Sequence, residues 1–297
     1  MISGIVVLKK EEGITSQGAV KRVQRLFGAT KAGHTGTLDP LATGVLPILL
    51  GRAVKASEYM LSSDKHYRAT LRLGITTDTE DVTGSILTET DNIPSESEVF
   101  AAVMKFIGET KQIPPMYSAL KVGGKKLCDM ARAGVEIERE PRTITIHSIS
   151  VKTIDRVRYS LDVHCSKGTY IRTLCADIGA ALGCGGCMET LERTHASVFT
   201  LGDAKTLSEL EAMTEEERRS AVFPVERVFE NYRRITLAPF FARLARCGVE
   251  IYLKKIGATP ELGERVTLFD EGGFFALGEV REFDGGAAIK PIKQFDV

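Results

Sequence analysis

Long apolar runs are missing from this 297-residue chain. None approaches the ~20 residues that a membrane-crossing helix needs. The first hydrophobic stretch, Ile5-Val6-Val7-Leu8, runs straight into Lys9-Lys10. It is too short for the core of a secretory signal, so a cytoplasmic protein without membrane contact is expected. Cysteine is also scarce. The six, at positions 128, 165, 175, 184, 187 and 247, are too few for a disulfide framework in a chain this long. Cys184-Gly185-Gly186-Cys187 is a lone C-x-x-C. No second pair or nearby histidine completes a zinc site, and free structural thiols are expected. A Walker loop, a dinucleotide fingerprint and a zinc-hydrolase helix motif are all absent. No metal-ligand cluster is visible, and neither metal nor cofactor is expected.

Net charge is missing too, with 39 basic residues against 39 acidic ones. The charges are nevertheless segregated. Residues 119–134 carry Lys121, Lys125, Lys126 and Arg132 against Asp129. Residues 201–217 carry Asp203, Glu209, Glu211, Glu215, Glu216 and Glu217 against Lys205. A zero total can hide a basic face suited to a polyanion and an acidic back. Charge alone describes two ordinary solvated faces equally well.

What is present suffices for a sizeable core: 43% of the residues are hydrophobic and 26% charged, enough for one large domain or a large and a small one. Residues 5–8 read as a short buried strand. Thr15-Ser16 offers an N-cap to a helix in which Ala19, Val20, Val23, Leu26 and Phe27 recur at helical spacing, stopped by Gly28. Its other face, Lys21, Arg22, Gln24 and Arg25, is basic. Residues 45–50 and 66–74 read as strands, 98–107 as a helix, 143–152 and 157–165 as paired strands, and 170–182 as a helix. Strands and helices interleave without a strict βαβ repeat. The fold class expected is α+β, with a mixed, largely antiparallel sheet and flanking helices. Near residues 227–236 the pattern changes to short β-like runs punctuated by glycines, which suggests a small C-terminal β-rich domain. The division expected is 1–230 and 231–297.

The most informative stretch is Lys31-Ala32-Gly33-His34-Thr35-Gly36-Thr37-Leu38-Asp39-Pro40-Leu41-Ala42-Thr43-Gly44. It is too rich in Gly, Thr and Pro for a helix or regular strand. Pro40 pushes Asp39 out of the helical region. A lone carboxylate on such a loop is either an Asx-type turn or a presented functional group.

Residues 32–44 match throughout the pattern A-G-H-T-G-x-L-D-P-x-A-x-G, and the chain thereby closely resembles the TruB family of tRNA pseudouridine synthases. Lys65-His66-Tyr67-Arg68 resembles that family's K-x-Y-x segment, and Cys165–Thr173 its C-S-x-G-T-Y-I-R-T segment. Residues 113–126, with Gly123-Gly124 between lysines, resemble its mobile thumb, about 113–142. Thr190–Thr194 resembles an L-R-R-T-like run in which Glu192 replaces the first Arg. Glu11 stands where the family usually has Pro in its K-P-x-G-x-T-S segment.

The resemblance implies the pseudouridine synthase fold with a small PUA-like C-terminal domain. It implies an enzyme that isomerises uridine 55 in the T-loop of tRNA. Asp39 would be the nucleophile, Arg172 its ion-pair partner, and Tyr67 would lie against the base. If the backbone is still extended at 170–172, Tyr170 and Arg172 share a face. His34 would fill the vacated stack, Tyr170 and Leu191 would line the pocket, and Lys121, Lys125 and Lys126 would grip the RNA. An unperturbed Asp, with a pKa near ~3.9, is ionised at neutral pH without an activating base. Carboxylates serve as covalent nucleophiles in other enzymes. A stacked uridine must flip out to be reached. The expected partner is the T-arm stem-loop of tRNA, bound by a monomer with no obligate protein partner. The alternative is a non-catalytic tRNA-binding or RNA-folding protein using the same fold.

Overall fold

In the computed structural model residues 2–118 and 120–295 are described, together with all their side chains except those of Lys121 and Lys126. The chain opens with β1 (Gly4–Lys10) and α1 (Ser16–Leu26). The Thr15 side chain caps α1 by accepting from the Gly18 N–H, which satisfies one of the free donors of the first turn. Then come β2 (Ala32–His34), β3 (Thr43–Leu50), α2 (Ser57–Leu61) and β4 (Lys65–Leu73). A small hairpin follows, β5 (Ile75–Thr77) and β6 (Ile86–Glu89), and then α3 (Glu96–Met104) and β7 (Gly108–Gln112). A second hairpin, β8 (Lys121–Val122) and β9 (Lys125–Lys126), turns on Gly123 and Gly124. Both have positive φ, +58° and +83°, as a type I′ turn requires. It leads into α4 (Leu127–Arg132), β10 (Arg142–Thr153), β11 (Arg158–Cys165), α5 (Ile171–Ala181), β12 (Gly186–Ala196) and β13 (Phe199–Thr200).

Nine strands form one sheet in the order β1-β3-β12-β4-β11-β10-β7, with β2 and β13 pairing at its side. The β12–β3 pairing is parallel and the other pairings antiparallel, so the sheet is mixed and largely antiparallel. Residues 5–8 of β1 and 45–50 of β3 are apolar because both faces of these stretches are covered. Val6, Leu8, Leu46, Ile48 and Leu50 enter one cluster beneath α1 and α5. Ile5, Val7, Val45 and Leu49 enter another on the opposite face.

The acidic run contains α6 (Leu207–Ala212) and α7 (Glu215–Ser220). Its carboxylates have local tasks. Asp203, Glu209 and Glu217 each close a capping box with Thr200, Thr206 and Thr214. Asp203 also pairs with Arg227 at 2.6 Å. Glu215 pairs with Arg219 at 2.6 Å and shares a cleft with Arg25 at the end of α1. Three of the run's six carboxylates thus cap helical turns and a fourth pairs with Arg219 beside part of the basic helix.

From Arg233 onward the chain forms a five-stranded sheet. It comprises β14 (Arg233–Thr236), α8 (Pro239–Arg246), β15 (Ile251–Tyr252), α9 (Leu253–Ile256), β16 (Arg265–Asp270), β17 (Gly273–Phe283) and β18 (Gly286–Gln294), in the order β14-β16-β17-β18-β15. Two of these strands, β17 and β18, are long rather than short: Gly272-Gly273 and Gly285-Gly286 lie at their ends, and Gly278 is accommodated inside β17. This unit has its own apolar cluster, including Val266, Leu268, Phe275 and Ile289. Leu277 and Phe295 instead pack with Ile5, Val7, Val45, Leu49 and Phe229 of the main body.

Candidate active site

Residues 35–42, between β2 and β3, have no regular secondary structure, and several distant groups hold them. The Ser16 hydroxyl, at the start of α1, accepts from the Leu38 N–H at 2.8 Å and donates to the Leu38 carbonyl at 2.9 Å. Lys10, at the buried end of β1, donates to the carbonyls of Ala42 at 2.6 Å, Pro40 at 3.2 Å and Glu11 at 2.9 Å. Burial lowers the Lys10 pKa to about 8, and the Asp39 charge opposes the fall. Arg193 of β12, 1% exposed, donates to Val45 at 2.8 Å and Gly36 at 3.2 Å. A Cβ on Gly44 would lie 2.3 Å from the Arg193 carbonyl oxygen, and Gly44 has φ +99°. Only glycine lets β3 and β12 meet there.

The loop presents Asp39 to Arg172. The helix α5 already starts at Ile171, with Tyr170 as its N-cap, so the extended alternation that would place Tyr170 and Arg172 on one face does not occur. The pair with Asp39 forms all the same: Arg172 Nε lies 3.0 Å from Asp39 Oδ2. The guanidinium is 5% exposed. It also donates to the carbonyls of Thr79 at 3.0 Å and Tyr117 at 2.7 Å, and its Nη1 lies 3.6 Å from Asp81 Oδ2. The other oxygen of Asp81 accepts from the Thr79 hydroxyl and from the N–H and hydroxyl of Thr83. One buried cation is thus clamped between a carboxylate facing the cavity and one fixed in the β5–β6 loop. Neighbouring Glu80 takes a positive φ of 63° and accepts from the Thr173 hydroxyl at 2.6 Å. Burial pushes the Glu80 carboxyl up, and Thr173 opposes this.

Asp39 is not an unperturbed aspartate. Burial pushes its carboxyl above the ordinary 3.8; Arg172 opposes this, Asp81 adds to it and Lys10 opposes it. A reaction that needs the carboxylate should therefore lose rate, as pH falls, at a higher pH than an ordinary Asp would give. Lys10→Met removes a positive charge and should move this acid limb higher still. Single-turnover rates between about pH 4.5 and 8 measure it. A limb unmoved in Lys10→Met would show that Lys10 does not act on the carboxylate.

A cavity of about 320 Å³ opens over Asp39 and is lined by Leu38, Tyr67, Tyr170, Arg172, Leu191 and Leu120, among others. This size lies at the lower end of small-molecule sites. Tyr67 projects from β4. Burial holds its phenol above 10, and Arg193 opposes the rise, so it stays neutral at physiological pH. Tyr170 is held by Gln112, whose side chain accepts from the Tyr170 N–H at 2.8 Å and donates to its carbonyl at 3.0 Å. Lys65 also lines the cavity. Its ammonium donates to the carbonyls of Met60, Leu61 and Ser63.

Asp39, Arg172, Tyr67, Tyr170 and Leu191 are thus brought together, while His34 stands apart. It sits on β2, opposite Ile48, and does not line the cavity. Its Nδ1 is buried without a partner, and burial, then Arg193, lowers its pKa. Lys125 is exposed on the β8–β9 hairpin. The side chains of Lys121 and Lys126 lie outside the described residues. Glu192 pairs with Arg68 at 3.7 Å. Sequence reading missed Asp81, Lys10 and Ser16. Asp81 carries no motif, whereas Lys10 and Ser16 lie in the K-x-x-G-x-T-S segment. It also found no metal-ligand grouping, yet Asp64, His147 and His164 come together away from the cavity. The cysteines are free, and burial pushes Cys187 up to about 11, as suits an inert thiol.

Residues 24–171 match the model of the TruB family pseudouridylate synthase N-terminal domain, and residues 172–230 that of the tRNA pseudouridylate synthase B C-terminal domain. A tRNA pseudouridine synthase B of Alkaliphilus oremlandii is 44% identical over 285 residues, 95% of each chain. The chain belongs to the TruB family. A relative of the same name from Aromatoleum aromaticum is 41% identical over 98% of this chain and 92% of its own. Among solved structures, a chain of a Cbf5-Nop10-Gar1 complex aligns with a TM-score of 0.76 and 27% identity, over 99% of this chain and 85% of that one. An archaeal box H/ACA sRNP Nop10-Cbf5 complex gives 0.71 and 25%, over 99% and 86%. The TruB fold is therefore that of the α+β pseudouridine synthases. Among the described residues no helix is long and apolar enough to cross a membrane.

Proposed function

We propose that this TruB-family enzyme converts uridine 55 in the T-loop of tRNA to pseudouridine, with Asp39 as nucleophile. The observation that carries this reading is the Asp39–Arg172 pair, 3.0 Å apart, at a cavity walled by two tyrosines and Leu191. The net reaction breaks the N1–C1′ bond and makes a C5–C1′ bond. N1 takes up a proton, C5 gives one up, and no electrons are transferred. Asp39 supplies the covalent partner that keeps the fragments together while the base turns. Arg172 holds the carboxylate in its attacking position through its planar fork. Tyr67 stacks on the flipped base, and Tyr170 and Leu191 keep water from it. His34, beside the cavity rather than in it, takes the place the flipped base leaves in the RNA stack.

The β8–β9 hairpin, with Lys121, Lys125 and Lys126, grips phosphates and carries no sequence information. Residues 231–297 form a PUA-like unit that adds affinity for the rest of the tRNA, and residues 1–230 form the catalytic domain. The enzyme acts as a single chain in the cytoplasm.

A T-arm hairpin alone should then be a substrate, because a flipped base in a pre-folded loop costs only a few kcal/mol to extrude. Pseudouridine mapping after incubation with the purified protein should show one modified uridine, at the position of uridine 55. A straight single strand should react far more slowly. Absence of isomerisation in both the hairpin and whole tRNA would overturn the reading and favour a non-catalytic RNA-binding role.

A further inference from the structure

Four of the chain's five histidines form a row across the main sheet. His195 on β12 is the register partner of His66 on β4, and His66 is the partner of His164 on β11. His147 sits on β10 where the register shifts between Ile146 and Ser148. The rings touch in sequence. His195 and His66 are 4.6 Å apart, His66 and His164 are stacked at 4.0 Å and 15°, and His164 and His147 are 4.6 Å apart. Lys65 and Tyr67 line the uridine cavity and His66 between them does not, as alternation along a strand requires. The row takes no part in the chemistry described above.

Asp64, just before β4, closes one end of the row. Its Oδ2 lies 3.2 Å from His147 Nε2 and 3.6 Å from His164 Nε2. One ligand atom from each of the three residues lies within 4.8 Å of the others. A tetrahedral ion with bonds of ~2.0–2.1 Å to imidazole and carboxylate has ligand–ligand edges of roughly 3.3 Å. We propose that Asp64, His147 and His164 form a binding site for a divalent transition-metal ion, Zn²⁺ by its ligand chemistry.

Two imidazole nitrogens and a carboxylate oxygen suit a borderline ion, whereas Mg²⁺ and Ca²⁺ prefer all-oxygen sites. The three side chains are 32–47% exposed, so an ion can enter from solvent and keep water in its remaining position. A bound ion would clasp β10 and β11 to the segment leading into β4.

The test uses the full-length, metal-stripped protein titrated with Co²⁺, whose visible d–d bands report coordination, followed by Zn²⁺ competition. The expected result is one ion per chain, bands without sulfur-to-cobalt charge transfer, displacement by Zn²⁺, and no response to Mg²⁺. His147→Ala and Asp64→Asn should each weaken binding by at least about 10-fold, the loss that even an outer-sphere change typically causes. Both residues are exposed, so neither substitution opens the core, and agreement between the two excludes a folding artefact. At one Zn²⁺ concentration the melting temperature of the wild type should rise more than that of either variant. Absence of d–d bands, a charge-transfer band from thiolate, or wild-type affinity in both variants would overturn the site.

Discussion

Asp39→Asn is expected to abolish pseudouridine formation, by at least about 10⁴-fold in single turnover, because the amide cannot form the covalent adduct. The shape of the side chain and its place against Arg172 are kept. Affinity for tRNA should stay within about tenfold of wild type, since phosphate contacts dominate binding. Stability should not fall. A carboxyl whose folded pKa is raised holds its proton more tightly when folded, so above that pKa its ionised form subtracts stability. The neutral amide removes that penalty, and the melting temperature should be equal or higher. This combination separates a functional carboxylate from a structural Asx turn, whose loss would lower stability and leave turnover intact. Turnover retained in carefully purified variant protein would exclude Asp39 as nucleophile.

Arg172→Lys should lower kcat by on the order of 10²-fold, the cost of a small misplacement of a reacting group. Lysine keeps the positive charge. It cannot reach Asp39, Asp81 and the carbonyls of Thr79 and Tyr117 at once, because its compact ammonium lacks the planar fork. The effect should appear in kcat with KM for tRNA little changed, since the guanidinium is buried beneath the cavity and is not part of the RNA grip. Stability should also drop, as two carboxylates lose part of their shared partner. Asp81→Asn should reproduce a weaker form of the same kcat defect. Wild-type kcat in Arg172→Lys would reduce Arg172 to a structural role.

Much of this site is legible in the chain because it is local. The Asp39 loop is one unbroken run, and β3 after it is a largely apolar segment with an evident reason to be buried; β2 before it, Ala32-Gly33-His34, is too short and too mixed to be read as a strand. The Thr15 cap and the Gly28 stop are local signals as well. Asp81 is different. It lies in a short hairpin of ordinary composition and reaches Arg172 only because Met188 of β12 bridges to Asp81 across the sheet. No spacing rule connects positions 39, 81 and 172. The histidine row is hidden for the same reason: strand alternation can be read from sequence, but the register between β12, β4, β11 and β10 cannot. The capping boxes were legible. Thr206-x-x-Glu209 and Thr214-x-x-Glu217 spell the motif, but within an acidic run they read as surface charge. The raised pKa of Asp39 depends on how deeply the loop sits, which is a tertiary property.

The cluster that joins Leu277 and Phe295 to Ile5, Val7, Val45 and Leu49 limits how freely this architecture can change over evolutionary time. The C-terminal sheet has an outer surface that can be remodelled, shortened or fitted to other RNA shapes at little cost. Its inner surface is not negotiable in that way. Leu277 and Phe295 complete the cluster on the far side of β1 and β3, the strands whose ends carry Lys10 and the Asp39 loop. A lineage that discarded the unit would take these two side chains out of that cluster and would have to fill their place. Exchange of this unit between enzymes should therefore succeed when the inward-facing residues travel with the main body, whatever the outward-facing ones become.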